Sequence, residues 1–220
     1  MALQNFEELN NLSTKWFSKM GVSDAEKKKR VELSLDYCEI IIMLFILITE
    51  EQYSRDECVR FARERIKILA ERQIGTENIA YINDFADVKS KEIVDSTFDK
   101  LDVDEDTEEE ITVPELDINV PVKEYWTSEE RALLVGIELS STVNNFEELR
   151  DAIEDGKTNK VWMTEGDERV RKTHQEVHGV DIPINEFFTV GNSQMLMPGD
   201  TVNGAELKEI AGCRCYLVFY

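Results

Sequence analysis

The first ninety residues contain no proline, and their apolar residues recur close to every 3.6 positions, which restricts this part of the chain to helices. Phe6, Leu9, Leu12, Trp16, Phe17 and Met20 mark one face of a helix over 4–20 that stops at Gly21. Ser23, with Glu26 three residues later, carries the signature of a capping box and opens a long helix through Ile48. Ser54 with Glu57 repeats the signature. The helix it opens carries Val59, Phe61, Ile66, Leu69 and Ile74 and is expected to stop near Gly75. A shorter helix is expected from about Glu77 to Ser90. Three or four helices of this kind make a bundle. The long Ile/Leu/Met/Phe face before Ile48 suits either the core of that bundle or a surface for a partner protein.

Charge divides the chain further. The net charge is −21, from 46 acidic and 25 basic residues. Residues 1–90 carry −3, residues 91–120 carry −10 and residues 121–220 carry −8. The run from Asp102 to Glu110 repels itself and has no face to bury, so 97–119 reads as an extended, solvated tether. Its alternating acids lack the glycine and terminal glutamate of an EF-hand loop, so it is not read as a calcium site. A chain this acidic is repelled by phosphate backbones and anionic membranes, which argues against direct DNA binding and membrane association. The closeness of Arg169, Arg171 and Lys172 leaves a local basic patch open. The nine apolar residues Ile40–Ile48 are about half of the roughly 20 needed to span a bilayer. The N-terminus lacks a basic segment ahead of an apolar run, so no signal peptide is expected. Cys38 and Cys58 sit in helical apolar patterns and read as buried free thiols in a reducing cytoplasm.

Beyond the acidic run the pattern changes. Thr127 with Glu130 is expected to open a helix from Glu129 to about Asn144, followed by a second short helix from Phe146 to Glu154. Val161-Trp162-Met163, Ile182–Ile184, Met195–Met197 and Cys215–Tyr220 are short strand-like runs between glycine, asparagine and proline turns. The stretch Asp167–Val177 looks helical. The expected architecture is therefore α+β: a helical module over 1–95, an acidic linker over 96–120, and a small α+β domain over 121–220 with a short antiparallel sheet.

The chemistry-bearing residues crowd into Trp162–Cys215, which holds both histidines, two of the four cysteines and six of the ten glycines. His174, His178, Cys213 and Cys215 are four ligands of types that zinc accepts. The alternative is a pair of metal-free cysteines on the core face of the last strand. Asp167, Arg169, Arg171 and His174 could serve as an acid–base and anion-binding cluster. The competing account is a helix start with Asp167 and Glu168 set against its dipole. No Ser-His-Asp arrangement, P-loop or dinucleotide glycine motif is present. Pro198-Gly199-Asp200 reads as a tight turn, and Trp162 as the anchor of the small core.

Taken in order, Trp162-x-Thr164-x-x-Asp167-x-Arg169-x-Arg171-x-x-His174, Gly179, Pro198-Gly199-Asp200 and Cys213-Arg214-Cys215 resemble the phage Mu F-like head-morphogenesis domain. The helix from Arg131 to Asn145 resembles the one that precedes the tryptophan in that family, and the likeness covers about residues 125–219. It implies a minor head protein that works by contact with portal, capsid or scaffold components. Such a protein would reside inside or at the portal vertex of the virion head, and in the host cytoplasm during assembly. Relatives with a Cys-x-x-Cys where this chain has Arg171-x-x-His174 suit zinc. Others have been grouped with ribonuclease-like folds, which keeps an enzyme using His174 with Arg169 or Arg171 as the alternative.

Overall fold

The computed structural model describes residues 6–50, 52–102, 110–113 and 118–220. The helical part comprises α1 (Phe6–Phe17), α2 (Asp24–Thr49), α3 (Arg55–Ile74) and α4 (Ile79–Leu101), with a single 3₁₀ turn, Thr76–Asn78, before α4. The starts of α2 and α3 follow from side chains that satisfy orphan backbone donors. Ser23 Oγ accepts from the Glu26 backbone N–H. At Ser54 the full reciprocal box forms, with the Glu57 carboxylate accepting from the Ser54 N–H at 2.9 Å. α3 stops at Gly75, as expected. α4 runs to Leu101, well past the expected end at Ser90, because Phe85, Ala86, Ile93, Val94 and Thr97 keep one face buried.

The extension of α4 takes up the first part of the expected tether. Residues 103–109 and 114–117 of that segment lie outside the described residues. Between them, β1 (Glu110–Val113) pairs antiparallel with β2 (Ile118–Pro121), so this portion is a hairpin where an unpaired tether was expected. A short helix α5 (Val122–Tyr125) follows.

The helix α6 (Glu129–Glu154) organises the rest. Its cap is Ser128, whose Oγ accepts from the Arg131 N–H, one residue later than the expected Thr127. It is continuous for 26 residues, where a break near residue 145 was expected. Asn144 and Asn145 are poor helix formers, but both are fully buried and bonded. Asn144 donates to Ser140 O at 2.7 Å, and Asn145 donates to Pro198 O at 3.0 Å. At Asn145 tertiary bonding overrides local preference, while Asn144 bonds back one turn within the helix. α6 lies along α2 at close range, and Gly136 makes the approach achievable. A Cβ there would overlap the Ser34 carbonyl oxygen and lie 2.9 Å from Cys38 N.

Strands β3 (Asn159–Met163), β4 (Asp181–Pro183) and β7 (Tyr216–Phe219) form an antiparallel sheet in the order β4-β3-β7. A hairpin of β5 (Phe188–Val190) and β6 (Ser193–Met195) and two short helices, α7 (Lys172–Glu176) and α8 (Leu207–Ile210), complete this part. The chain is thus α+β, helical at first with a small antiparallel sheet near its end.

Two apolar cores result, and α6 belongs to both. Leu133, Ile137 and Val143 sit in the helical core with Phe17, Tyr37 and Phe85, and Tyr216 of β7 joins them. Leu149 and Ala152 sit in the second core with Trp162, Phe188 and Met195. Buried charge ties the two parts. Arg30 has no exposed surface and reaches Glu26 at 2.9 Å, Glu148 at 3.0 Å and Asn145 at 3.1 Å. Among the described residues no helix is long and apolar enough to cross a membrane.

Candidate metal centre

The motif residues lie along α6, with Arg169, Arg171 and Arg214 near Leu133 and Ile137, Gly199 at Thr142, and Trp162 in the core of Leu149 and Ala152. Trp162 is fully buried on β3, edge-on to the His174 ring at 5.7 Å and to Phe188 at 5.2 Å. The expected helix over 167–177 is cut to Lys172–Glu176. The reason lies upstream, where Asp167 is drawn out of any helix by Arg214. The Arg214 guanidinium grips Asp167 at 2.6 and 2.8 Å and also reaches Glu165 at 2.8 Å. These bonds hold the Asp167 carboxyl below its ordinary range. Burial pushes the Glu165 carboxyl up, opposed by the same guanidinium.

The early end of α7 also separates the two histidines. His174 faces inward at 1% exposure. His178 lies past the helix on the surface, where its Nδ1 accepts from the Thr164 backbone N–H at 3.1 Å. The four-residue ligand set that the sequence offered as an alternative to metal-free cysteines therefore does not assemble. Three of its members do: His174, Cys213 and Cys215 bring their donor atoms within 4.8 Å of one another, all buried, the sole such group among the described residues. His174 Nδ1 lies 3.3 Å from Cys215 Sγ and 3.6 Å from Cys213 Sγ.

These separations fit a tetrahedral zinc. Bond lengths of about 2.0–2.1 Å to nitrogen and about 2.3 Å to sulfur give N···S edges of about 3.6 Å. The other ring nitrogen meets Glu209, buried on α8. Its Oε2 is 3.3 Å from His174 Nε2, in ion-pair range though off the line of a hydrogen bond, and accepts from Thr173 Oγ1 at 2.7 Å. The Glu209 carboxylate thus stands behind the ring on its Nε2 side, and Nδ1 faces the two sulfurs. A hydrogen bond from Cys215, helped by His174, pulls Cys213 well below the ordinary thiol value, and Cys215 is raised in turn. A thiolate is the form a metal takes. Sequence reasoning missed Glu209, since a lone glutamate before Ile210 carries no signal.

The acid–base cluster that the sequence left open for Asp167, Arg169, Arg171 and His174 does not form as a unit. Asp167 serves Arg214, Arg171 donates to the Ala211 carbonyl, and His174 is sealed inside. The Arg169 backbone N–H donates to Asp167 Oδ1 at 3.1 Å, and its guanidinium has no partner among the described residues.

The remaining motif residues brace this centre. The Gly179 N–H donates to Trp162 O at 2.8 Å. Asp200 is almost fully buried, and its carboxylate accepts from the Leu196 N–H and from Asn203 Nδ2, both at 2.7 Å. Gly199 has φ of 80°, and a Cβ there would stand 2.6 Å from Thr142 Oγ1 on α6, so the turn needs glycine on both counts. Asn145 links Pro198 O to the buried Arg30, and so couples the turn to the helical core.

No protein-family model, curated protein or solved structure matches this chain.

Proposed function

We propose that the chain is a non-enzymatic assembly protein of the Mu F-like minor-head type, acting through contacts with portal and capsid components. The observation that carries this reading is how the motif residues are used. Trp162, His174, Asp200, Cys213 and Cys215 point into the core and brace one another, and the cavity that His174 and Cys215 line holds only about 10 Å³. A sequence signature buried in this way specifies a shape to be recognised, not a reaction. The ribonuclease-like alternative needs His174 at a surface that a substrate can reach, and its 1% exposure weighs against that.

The grouping of His174, Cys213 and Cys215 supports a second element, a resident zinc. These three residues would hold it and Glu209 would orient the histidine. Zinc would supply a cross-link between α7 and the approach to β7, worth folding free energy to a small core.

The test is co-purification of the full chain with its portal and capsid proteins, with metal content read on the same sample. The expected result is a stable complex with portal or prohead, and about one zinc per chain that is lost in Cys213→Ser. Failure to bind any head component would refute the assembly reading. A complex without zinc would retire the metal alone.

A further inference from the structure

We infer that the chain carries an anion pocket for a phosphoryl group, formed between α1 and the arginine-rich loop that leads into α7. In a protein with a net charge of −21, one cavity is walled by five cations: Lys15, Lys19, Arg169, Arg171 and Arg214. Its floor is apolar, built from Leu12 on α1 and from Leu133 and Ile137 on α6, and Trp16 closes one side. The cavity holds about 140 Å³. That is room for a phosphate with a few waters, at about 30 Å³ for each water.

The charges there are only partly neutralised. Arg214 is occupied by Glu165 and Asp167, and Lys19 reaches only Asp167, at 4.0 Å. Arg171 is bonded to a neutral carbonyl, Ala211 O. Lys15 and Arg169 have no side-chain partner of either kind among the described residues. Two carboxylates against five cations leave an excess of three positive charges around this half-open cavity. With 46 acidic residues on the chain, such a concentration runs against the general field. A pocket with low-dielectric walls focuses potential on a bound anion. Arginine forks suit phosphoryl oxygens.

Trp16 adds a second requirement. Its indole Nε1 is buried without a partner, and the Arg214 guanidinium sits over its ring at 5.8 Å. A donor left without an acceptor beside a cationic rim fits an oxyanion. The aromatic face fits a planar group attached to it. The chemistry recognised is therefore a phosphate ester, whether a free nucleotide or the phosphorylated end of a strand. The acidity of the remaining surface excludes tracking along a nucleic-acid backbone.

Lys15 and Arg169 are the residues to change, because neither holds any part of the fold. The full chain would be titrated calorimetrically with inorganic pyrophosphate, ADP, and a 5′-phosphorylated and a 5′-hydroxyl trinucleotide, at low and moderate salt. Saturable binding of the phosphorylated probes is expected. It should weaken at least tenfold in Lys15→Glu/Arg169→Glu and weaken with added salt. The double variant should keep the wild-type melting temperature. ADP tighter than pyrophosphate would place the base against Trp16, and equal affinities would place the phosphate alone in the pocket. The phosphorylated trinucleotide binding more tightly than ADP would name a strand end as the source, and the reverse would name a free nucleotide. No binding at millimolar concentration, or binding unchanged by the double variant, would overturn the inference.

Discussion

Replacing His174 by alanine separates a structural from a catalytic use of the histidine. The imidazole is 1% exposed, stands edge-on to Trp162 and backs onto the buried Glu209 carboxylate. Its removal leaves a cavity costing about 2 kcal/mol or more. The lost ring contact adds about 1 kcal/mol. Glu209 is left in the core with Thr173 as its remaining partner, adding about 1–3 kcal/mol. These terms overlap, so about 4 kcal/mol is expected, a large share of the roughly 5–15 kcal/mol that holds a typical domain. At this chain length, that lowers the melting temperature by about 10 °C. His178→Ala is the internal control. That ring is exposed and only accepts from Thr164, so its loss should cost about 1 kcal/mol and a few degrees. Both variants would be melted in chelator by circular dichroism, so that metal does not enter the comparison. If His174→Ala melted within two or so degrees of wild type, the argument that this histidine braces the core would be wrong.

Two further predictions test the packing and the buried charge. Gly136→Ala should destabilise by about 2 kcal/mol or more in urea unfolding, because overlap with the Ser34 carbonyl outweighs the roughly 1 kcal/mol that alanine gains in helix propensity. A stabilised variant would show that α2 and α6 do not meet there. Lys160 is fully buried with Nζ donating to Leu196 O at 2.7 Å, and burial pushes its amine down from 10.5 to about 8. Between those values the unfolded chain holds a proton that the native chain does not, so wild-type stability should rise with pH across about 8 to 10.5. Relative to Lys160→Met the rise should approach 3 kcal/mol at most, and parallel pH profiles of the two proteins would refute it.

Much of the fold could be read from local chemistry. Ser23 and Ser54 cap where their spacing to Glu26 and Glu57 placed them, and Gly75 ends α3. The four apolar runs near the end of the chain all contribute strand residues. The misplaced boundaries share a cause, which is bonding to residues far away in sequence. α6 continues past Asn145 because that amide is held by Arg30 and Pro198. The helix start at Asp167 fails because Arg214, 47 residues on, takes its carboxylate. The candidate centre was legible to the same extent. His174, Cys213 and Cys215 announce themselves by residue type. His178 drops out because α7 is too short to keep both rings on one face. The partnership of Lys15 and Lys19 with Arg169 and Arg171 spans some 150 residues. Its one local trace is the four-residue spacing of the lysines near the end of α1 in an otherwise acidic chain.

The helix α6 sets a limit on how this protein can be taken apart. Its first half walls the helical bundle, and its second half floors the domain that carries the motif. A fragment beginning ahead of α6 would pull Leu133, Ile137 and Val143 off α2 and carry them into water. A fragment ending there would leave the bundle open along the same seam. Neither half is a portable cassette. A cut on either side of α6 should therefore open both cores at once, because the helix is their common strut.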